Sequence, residues 1–277
     1  MNYQVTPADL VFYCGSTLLE GPCWDEKQRV VYCVSIDEHE VYRIDPFNGL
    51  ARSYPTDGPV GCVVIEESGM ILTAEKTGIH RINPETGQRE FLIQLEPDPL
   101  MRYNDGKFDP RGRFLVGTKG LDEDYEGRGC VFAWDGTESR RLIEGTTISN
   151  GIGFTSDNQR MFFIDTPTKK VGAYKYNIET GEAEFDAYIV EIEGPGYPDG
   201  MCVDLDGMIW VAEWEGGQLC KWNPDTGEKL ATITMPCRRV TSCCLGGDDL
   251  DLLFMTTAHD DTAGDLLGGG LFKLKIR

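Results

Sequence analysis

A turn that keeps returning constrains this chain more than any other feature. An Asp or Asn, usually followed by Pro, precedes a Gly four residues on. The copies are Asp45-Pro46-Phe47-Asn48-Gly49, Asn83-Pro84-Glu85-Thr86-Gly87, Asn177-Ile178-Glu179-Thr180-Gly181 and Asn223-Pro224-Asp225-Thr226-Gly227. Each follows a short alternating run such as Gly78–Ile82 or Gln218–Trp222. Pro and Asn preset the turn dihedrals and Gly accepts positive φ, so each copy reads as a tight hairpin. A second marker stands before a short apolar strand in every unit, at Glu20, Cys62, Asn104, Asn150, Asp199 and Thr241. The spacings are 42, 42, 46, 49 and 42 residues. Units of about 40–50 residues with four strands each are the mark of propeller blades.

One unit reads as Gly200–Val203, Met208–Glu213, Gly217–Trp222 and Lys229–Thr234, joined by Asp206-Gly207, Glu215-Gly216 and Asp225-Thr226-Gly227. Asp-Gly between two apolar runs is a strong hairpin signal. The sixth unit, Ser242–Leu245, Leu252–Thr256 and Gly270–Leu274, lacks a fourth strand, while an orphan apolar run, Asp9–Cys14, precedes the first unit. The expectation is an all-β, six-bladed β-propeller with four antiparallel strands per blade, one domain over residues 1–277. The N-terminal strand should complete the last blade and cover a sheet edge. No 11-residue stretch keeps a 3.6-residue period, so helix should be minimal. A β-sandwich with coincidental turns does not account for five near-equal spacings.

Composition narrows the function classes. The 46 acidic and 26 basic residues leave a formal net charge of −20, which repels phosphate backbones and anionic lipid surfaces. Nucleic acid and membrane are therefore not expected partners. No apolar run reaches the ~18 residues that span a bilayer, and the start of the chain lacks the basic and apolar regions of a signal peptide. Ten cysteines without a Cys-x-x-Cys pair, several inside apolar runs (Cys33, Cys62, Cys130, Cys202, Cys243), read as reduced, buried thiols. That reading points to the cytoplasm.

In a propeller the first strand of each blade lines the central channel, so the six markers should face one another around the axis. Five of the six are polar. A carboxylate, an amide and a second carboxylate (Glu20, Asn150, Asp199) are costly to bury unpaired, and a divalent cation removes that cost. Oxygen donors suit Ca²⁺, Mg²⁺ or Mn²⁺, and Zn²⁺ also accepts carboxylates. Three protein ligands leave positions for water and substrate. The competing reading is that Asn104-Asp105-Gly106, Asn150-Gly151 and Asp199-Gly200 are only turns. Arg102, two residues before Asn104, either pairs with a surface acid or hydrogen-bonds substrate oxygens. Asp122, Glu123 and Tyr125 lie in a loop that should reach the same mouth, either as a substrate contact or as a solvated acidic loop. His39, His80 and His259 fall at unrelated positions, so no Ser-His-Asp arrangement is visible.

Five motifs carry a family resemblance. Leu19-Glu20-Gly21-Pro22-Cys23-Trp24-Asp25 resembles the opening motif of the SMP-30/gluconolactonase/regucalcin family. Arg102-Tyr103-Asn104-Asp105-Gly106-Lys107-Phe108-Asp109-Pro110-Arg111-Gly112-Arg113 resembles its central signature. Ser149-Asn150-Gly151-Ile152-Gly153-Phe154 with Ser156-Asp157, Tyr197-Pro198-Asp199-Gly200-Met201 with Trp210-Val211-Ala212, and Thr241-Ser242-Cys243 with Gly246-Gly247 resemble the remaining three, in the same order. The resemblance implies one divalent cation, Ca²⁺ foremost, on Glu20, Asn150 and Asp199, and substrate contacts at Arg102 and Asn104. It implies hydrolysis of a sugar-acid lactone by metal-activated water; the chemistry makes Asp199, next to the metal, the candidate general base, with metal-bound hydroxide as the other candidate. The alternative function is a non-catalytic calcium-binding regulator using the same channel. One departure stands out. The family often carries an acidic substrate contact just after Gly117-Thr118, where this chain reads Lys119-Gly120-Leu121-Asp122-Glu123. Asp122 is the nearest candidate.

Overall fold

In a computed structural model, which describes residues 1–122, 125–261 and 265–277, the chain is a six-bladed propeller. Five blades follow the order expected from the repeat. The inner strands are Leu19–Asp25, Val60–Ile65, Met101–Phe108, Ser149–Phe154, Tyr197–Val203 and Arg239–Gly246, and each blade meanders outward from its inner strand through antiparallel pairs. Neighbouring inner strands touch around the ring, and the sixth touches the first. Helix is confined, among the described residues, to short 3₁₀ turns such as Pro7–Asp9 and Thr166–Thr168.

Packing explains why middle strands look uniformly apolar while outer strands do not. Val30–Ser35 and Ile71–Glu75 are buried along their whole length, because each blade is covered on both faces by its neighbours. The outer strand Glu182–Glu191 is mostly exposed. Six apolar clusters fill the six blade junctions. Phe162, Ile164 and Val171 meet Met201, Ile209 and Trp222 between the fourth and fifth blades, and Val31 and Ile44 meet Phe254 and Leu271 where the ring closes.

The N-terminal strand closes the sixth blade, with Leu10–Tyr13 antiparallel to Gly270–Lys275. Asp9, expected at the start of that strand, instead ends the 3₁₀ turn, where its Oδ2 accepts from Thr6 N (2.7 Å) and Thr6 Oγ1 (2.8 Å). The preceding segment goes further than the sequence suggests. Asn2–Gln4 adds a fifth, parallel strand to the outer edge of the fifth blade, against Lys229–Thr234, and Val5 is buried in the cluster between the last two blades. The N-terminal segment thus straps two blades and covers two sheet edges. All ten cysteines are unpaired thiols, as the sequence suggests.

Candidate metal and substrate site

Each of the six inner strands breaks register with its neighbour at or beside its marker. The irregularities fall between Glu20 and Cys23, Val60 and Cys62, Tyr103 and Gly106, Ser149 and Ile152, Pro198 and Met201, and Val240 and Ser242. A bulge twists a strand locally and re-aims a side chain. The Asn-Gly and Asp-Gly pairs are therefore not turns. They lie inside strands, and Gly106, Gly151 and Gly200 have no positive φ. Their glycines serve close approach instead: a Cβ on Gly200 would sit 2.1 Å from Ser242 Oγ, and one on Gly151 2.9 Å from Asp199 O.

The markers stitch the ring as well as facing the channel. Asn104 Nδ2 donates to the Ser149 carbonyl (2.9 Å) and to Asn150 Oδ1 (2.8 Å). Asn150 Nδ2 donates to Thr166 Oγ1 (2.7 Å), which donates to the Pro198 carbonyl (2.8 Å). Thr241 Oγ1 donates to the Leu19 carbonyl at 2.6 Å. In all three cases the bond ends on the residue just before the next marker. Thr241 is spent on this structural role. Arg102 is buried rather than exposed, and its guanidinium donates to Asn104 Oδ1 (2.8 Å) and the Tyr103 carbonyl (2.8 Å). One polar chain therefore runs Arg102–Asn104–Asn150–Thr166–Pro198 across three blades.

The carboxylates behave differently. Asp199 is buried, and its Oδ1 has no hydrogen-bond partner among the described residues. Burial pushes its carboxyl well above the usual range, and the nearby charges of Glu20 and Asp105 push it further. Glu20, half-buried, is likewise raised by burial and by Asp105, against a single backbone donor, Gly21 N, at 3.1 Å. Two carboxylates that repel each other, one with an orphaned oxygen, suit a hard divalent cation. The buried amide of Asn150, whose Oδ1 accepts from Asn104, lies on the inner strand next to that of Asp199.

A second acidic group contrasts with this one. Asp57, Glu75 and His80 offer ligand atoms within 4.8 Å of one another. Arg89 already donates to Glu75 Oε2 (2.6 Å) and pairs with Asp57 Oδ1 (3.1 Å), and Thr73 Oγ1 donates to Glu75 Oε1 (2.8 Å). A guanidinium meets the charge there without a metal. The axial group has the unmet demand.

Three residues that the sequence reading left without a role enter the mouth. Lys119 stands directly across the strand pair from Arg102, close enough to Glu20, Asp199 and Asp37 to feel their charges. Asp105, half-buried, adds a third carboxylate near Glu20. Thr166 carries the polar chain to the fifth blade. The break in register between Tyr103 and Gly106 hid Asp105, while Lys119 and Thr166 lie outside the inner strands that carry the markers. Asp122 is exposed and lines, with Lys119, Tyr125, Ile148 and Pro167, a cavity of about 560 Å³. It thus belongs with Lys119 rather than with Glu20 and Asp199. Glu123 lies outside the described residues.

The geometry defines a propeller with a polar, acid-rich site on its axis. The chain belongs to the SMP-30/gluconolactonase/LRE-like family, whose model matches residues 18–259. It is 32% identical over 267 residues to regucalcin of Xenopus laevis, covering 92% of this chain and 89% of that one. It is 36% identical over 271 residues to the pentonolactonase XacC of Haloferax volcanii, covering 93% and 90%. Among solved structures, a calcium-binding regucalcin from Agrobacterium tumefaciens superposes with a TM-score of 0.91 over 99% of this chain and 94% of that one, at 23% identity. No helix among the described residues is long and apolar enough to cross a membrane.

Proposed function

We propose that this protein is a divalent-metal-dependent lactonase that opens the ring of a sugar-acid lactone at its axial site. The observation that carries the reading is the buried Asp199 carboxylate, its Oδ1 unpartnered among the described residues, close enough to Glu20 to feel its charge. The family membership and the relative named a pentonolactonase support it. Glu20, Asn150 and Asp199 hold the cation, with Ca²⁺ foremost and Zn²⁺, Mg²⁺ or Mn²⁺ as substitutes. When bound, such an ion supplies Lewis-acid polarisation of a carbonyl oxygen.

The chain's own groups do the rest. Asn104 and Arg102 orient the substrate: Arg102 NH1 fixes the Asn104 amide, and the remaining guanidinium donors face ring or hydroxyl oxygens. Asp199 takes the proton from the water that attacks the lactone carbonyl. The tetrahedral adduct then collapses with cleavage of the ring C–O bond, and the released alkoxide recovers a proton, leaving a free aldonic acid. Asp122 and Tyr125 bound the far wall of the mouth. The protein works on a small molecule in this reading, as one domain, in the cytoplasm.

The test is hydrolysis of an aldonolactone, followed by acid release, before and after exhaustive chelation and after readdition of each cation. Loss and recovery of turnover support the reading. Full turnover in protein shown metal-free by elemental analysis overturns the metal requirement. Tight metal binding with no turnover on any lactone would favour a calcium-binding regulator.

A further inference from the structure

Lys119 is the cation at this mouth whose ammonium has no ion-pair partner and no carbonyl acceptor among the described residues. Of the eleven lysines, nine have a carboxylate within 4.0 Å or donate to a backbone carbonyl, among them Lys170, Lys175, Lys221, Lys275 and Lys273. Lys107 and Lys119 have neither among the described residues. Lys107 lines a separate cavity with Gly21, Phe108 and Met201. Lys119 is half-buried, and a half-buried ammonium without an acceptor costs free energy unless something arrives to meet it. Asp122 lines the same cavity but does not come within salt-bridge distance.

Charge around the mouth points the same way. Arg102 and Lys119 stand side by side on paired strands and repel each other. The carboxylates that offset them are Glu20, Asp199 and Asp37. A divalent cation on Glu20 and Asp199 takes up the charge of two of the three, which leaves Asp37 as the carboxylate acting on both organic cations, with Asp105 near Glu20 and Asp122 on the cavity wall. Beside Lys119 the cavity wall is mostly uncharged (Leu121, Tyr125, Thr147, Ile148 and Pro167), with Asp122 as its one acid among the described residues. An acidic surface of this size repels anions at long range, so a local pair of cations is what an anionic substrate would require.

We propose that Lys119 is a specificity-determining residue that recognises a second negative charge on the substrate, a carboxylate or phosphate on the carbon chain away from the lactone carbonyl. The inference rests on the lactonase reading and deepens it from sugar lactones in general to anionic ones. Tyr125 and Leu121 cover the chain between the two ends. Lys119 contacts the substrate tail and takes no part in bond breaking.

Three probes test it: glucono-1,5-lactone as the neutral lactone, a glucarolactone carrying a carboxylate, and 6-phosphogluconolactone carrying a phosphate. Wild-type kcat/KM should favour at least one anionic lactone over the neutral one by ~10-fold or more, since a charge-assisted hydrogen bond is that strong. Lys119→Met should reduce this ratio at least ~10-fold, through KM, and Lys119→Arg should retain most of it. The preference should shrink with added salt. Which anionic probe wins separates carboxylate from phosphate. Equal kcat/KM for neutral and anionic lactones in the wild type overturns the proposal without any mutant, as does an unchanged ratio in folded Lys119→Met. If the protein opens no lactone, the lactonase reading fails by itself. Calorimetric titration with glucarate against gluconate then still decides Lys119: a preference for the dianion that is lost in Lys119→Met supports it, and equal affinities refute it.

Discussion

Asn104 Nδ2 and Asn150 Oδ1 lie 2.8 Å apart across the junction of the third and fourth blades. The contact fixes the amide of Asn150 with its oxygen on the Asn104 side while its nitrogen is held by Thr166. An amide so clamped presents its oxygen at a set angle, which is how a group beyond the ligands tunes a metal site. Asn104→Ala should therefore weaken metal affinity by roughly 10–100-fold, measured calorimetrically, with the ring still closed by its apolar junctions. Unaltered metal affinity would return Asn104 to ring stitching alone.

Asp199→Asn separates chemistry from stability. It keeps size and an oxygen but removes a buried charge that Glu20 and Asp105 repel. We expect kcat on an aldonolactone to fall at least ~100-fold, the usual cost of losing a general base. The chelated variant should melt above the chelated wild type, because an uncompensated buried charge has gone. Near wild-type kcat would place the base elsewhere. A lower melting temperature in the variant would mean that the carboxylate has a partner in solution.

Arg102→Ala should raise KM by at least ~10-fold, the scale of a hydrogen bond from a charged group. Because Arg102 also holds Asn104 Oδ1, some loss of kcat should accompany it. Arg102→Lys keeps the charge without the planar fork and should recover only part of the effect. Initial-rate kinetics on several lactones decide this, and unchanged constants on every one would remove Arg102 from the substrate.

Glu38 offers a prediction in pH. Burial raises its carboxyl, but donors from Ser35, Thr17 and Ser16 outweigh that and hold it down at about 2. These bonds join the segment that follows the N-terminal strap to the first blade, with Ser35 Oγ at 2.5 Å and Thr17 Oγ1 at 2.7 Å. A depressed carboxyl contributes stability that is fully present above its ordinary value of 4.5 and is lost as pH falls through about 2. Glu38→Gln should lower Tm by about 2–4 °C near neutral pH. That gap should narrow between the two values, in melts recorded across the acid range. A gap that stays constant to the lowest pH would contradict the ionised, hydrogen-bonded carboxylate.

The propeller was legible because it is written in local chemistry. Turn residues at Asp45–Gly49, Asn83–Gly87, Asn177–Gly181 and Asn223–Gly227 specify hairpins by their own dihedrals, and their spacing counts the blades without any tertiary knowledge. The missing fourth strand of the last unit likewise announced the closure by Leu10–Tyr13. The marker spacing also brought Glu20, Asn104, Asn150 and Asp199 to one axis, since equivalent positions in a closed repeat must face one another.

Other features depended on contacts between residues far apart in the chain. Asn2–Gln4 has no pattern that names Lys229–Thr234 as its partner; only the shape of the finished edge selects it. Asn-Gly and Asp-Gly pairs mean turns locally, yet here they sit in bulged strands because the neighbouring blade leaves no room for a Cβ at Gly200. Arg102 reads as a surface residue until the ring closes over it, and Lys119 reads as an ordinary strand lysine until Arg102, Glu20 and Asp199 surround it. Periodicity reports which side of a strand a residue occupies. Whether a buried charge has a partner is decided by atoms that arrive from other blades, and only the assembled ring brings them together.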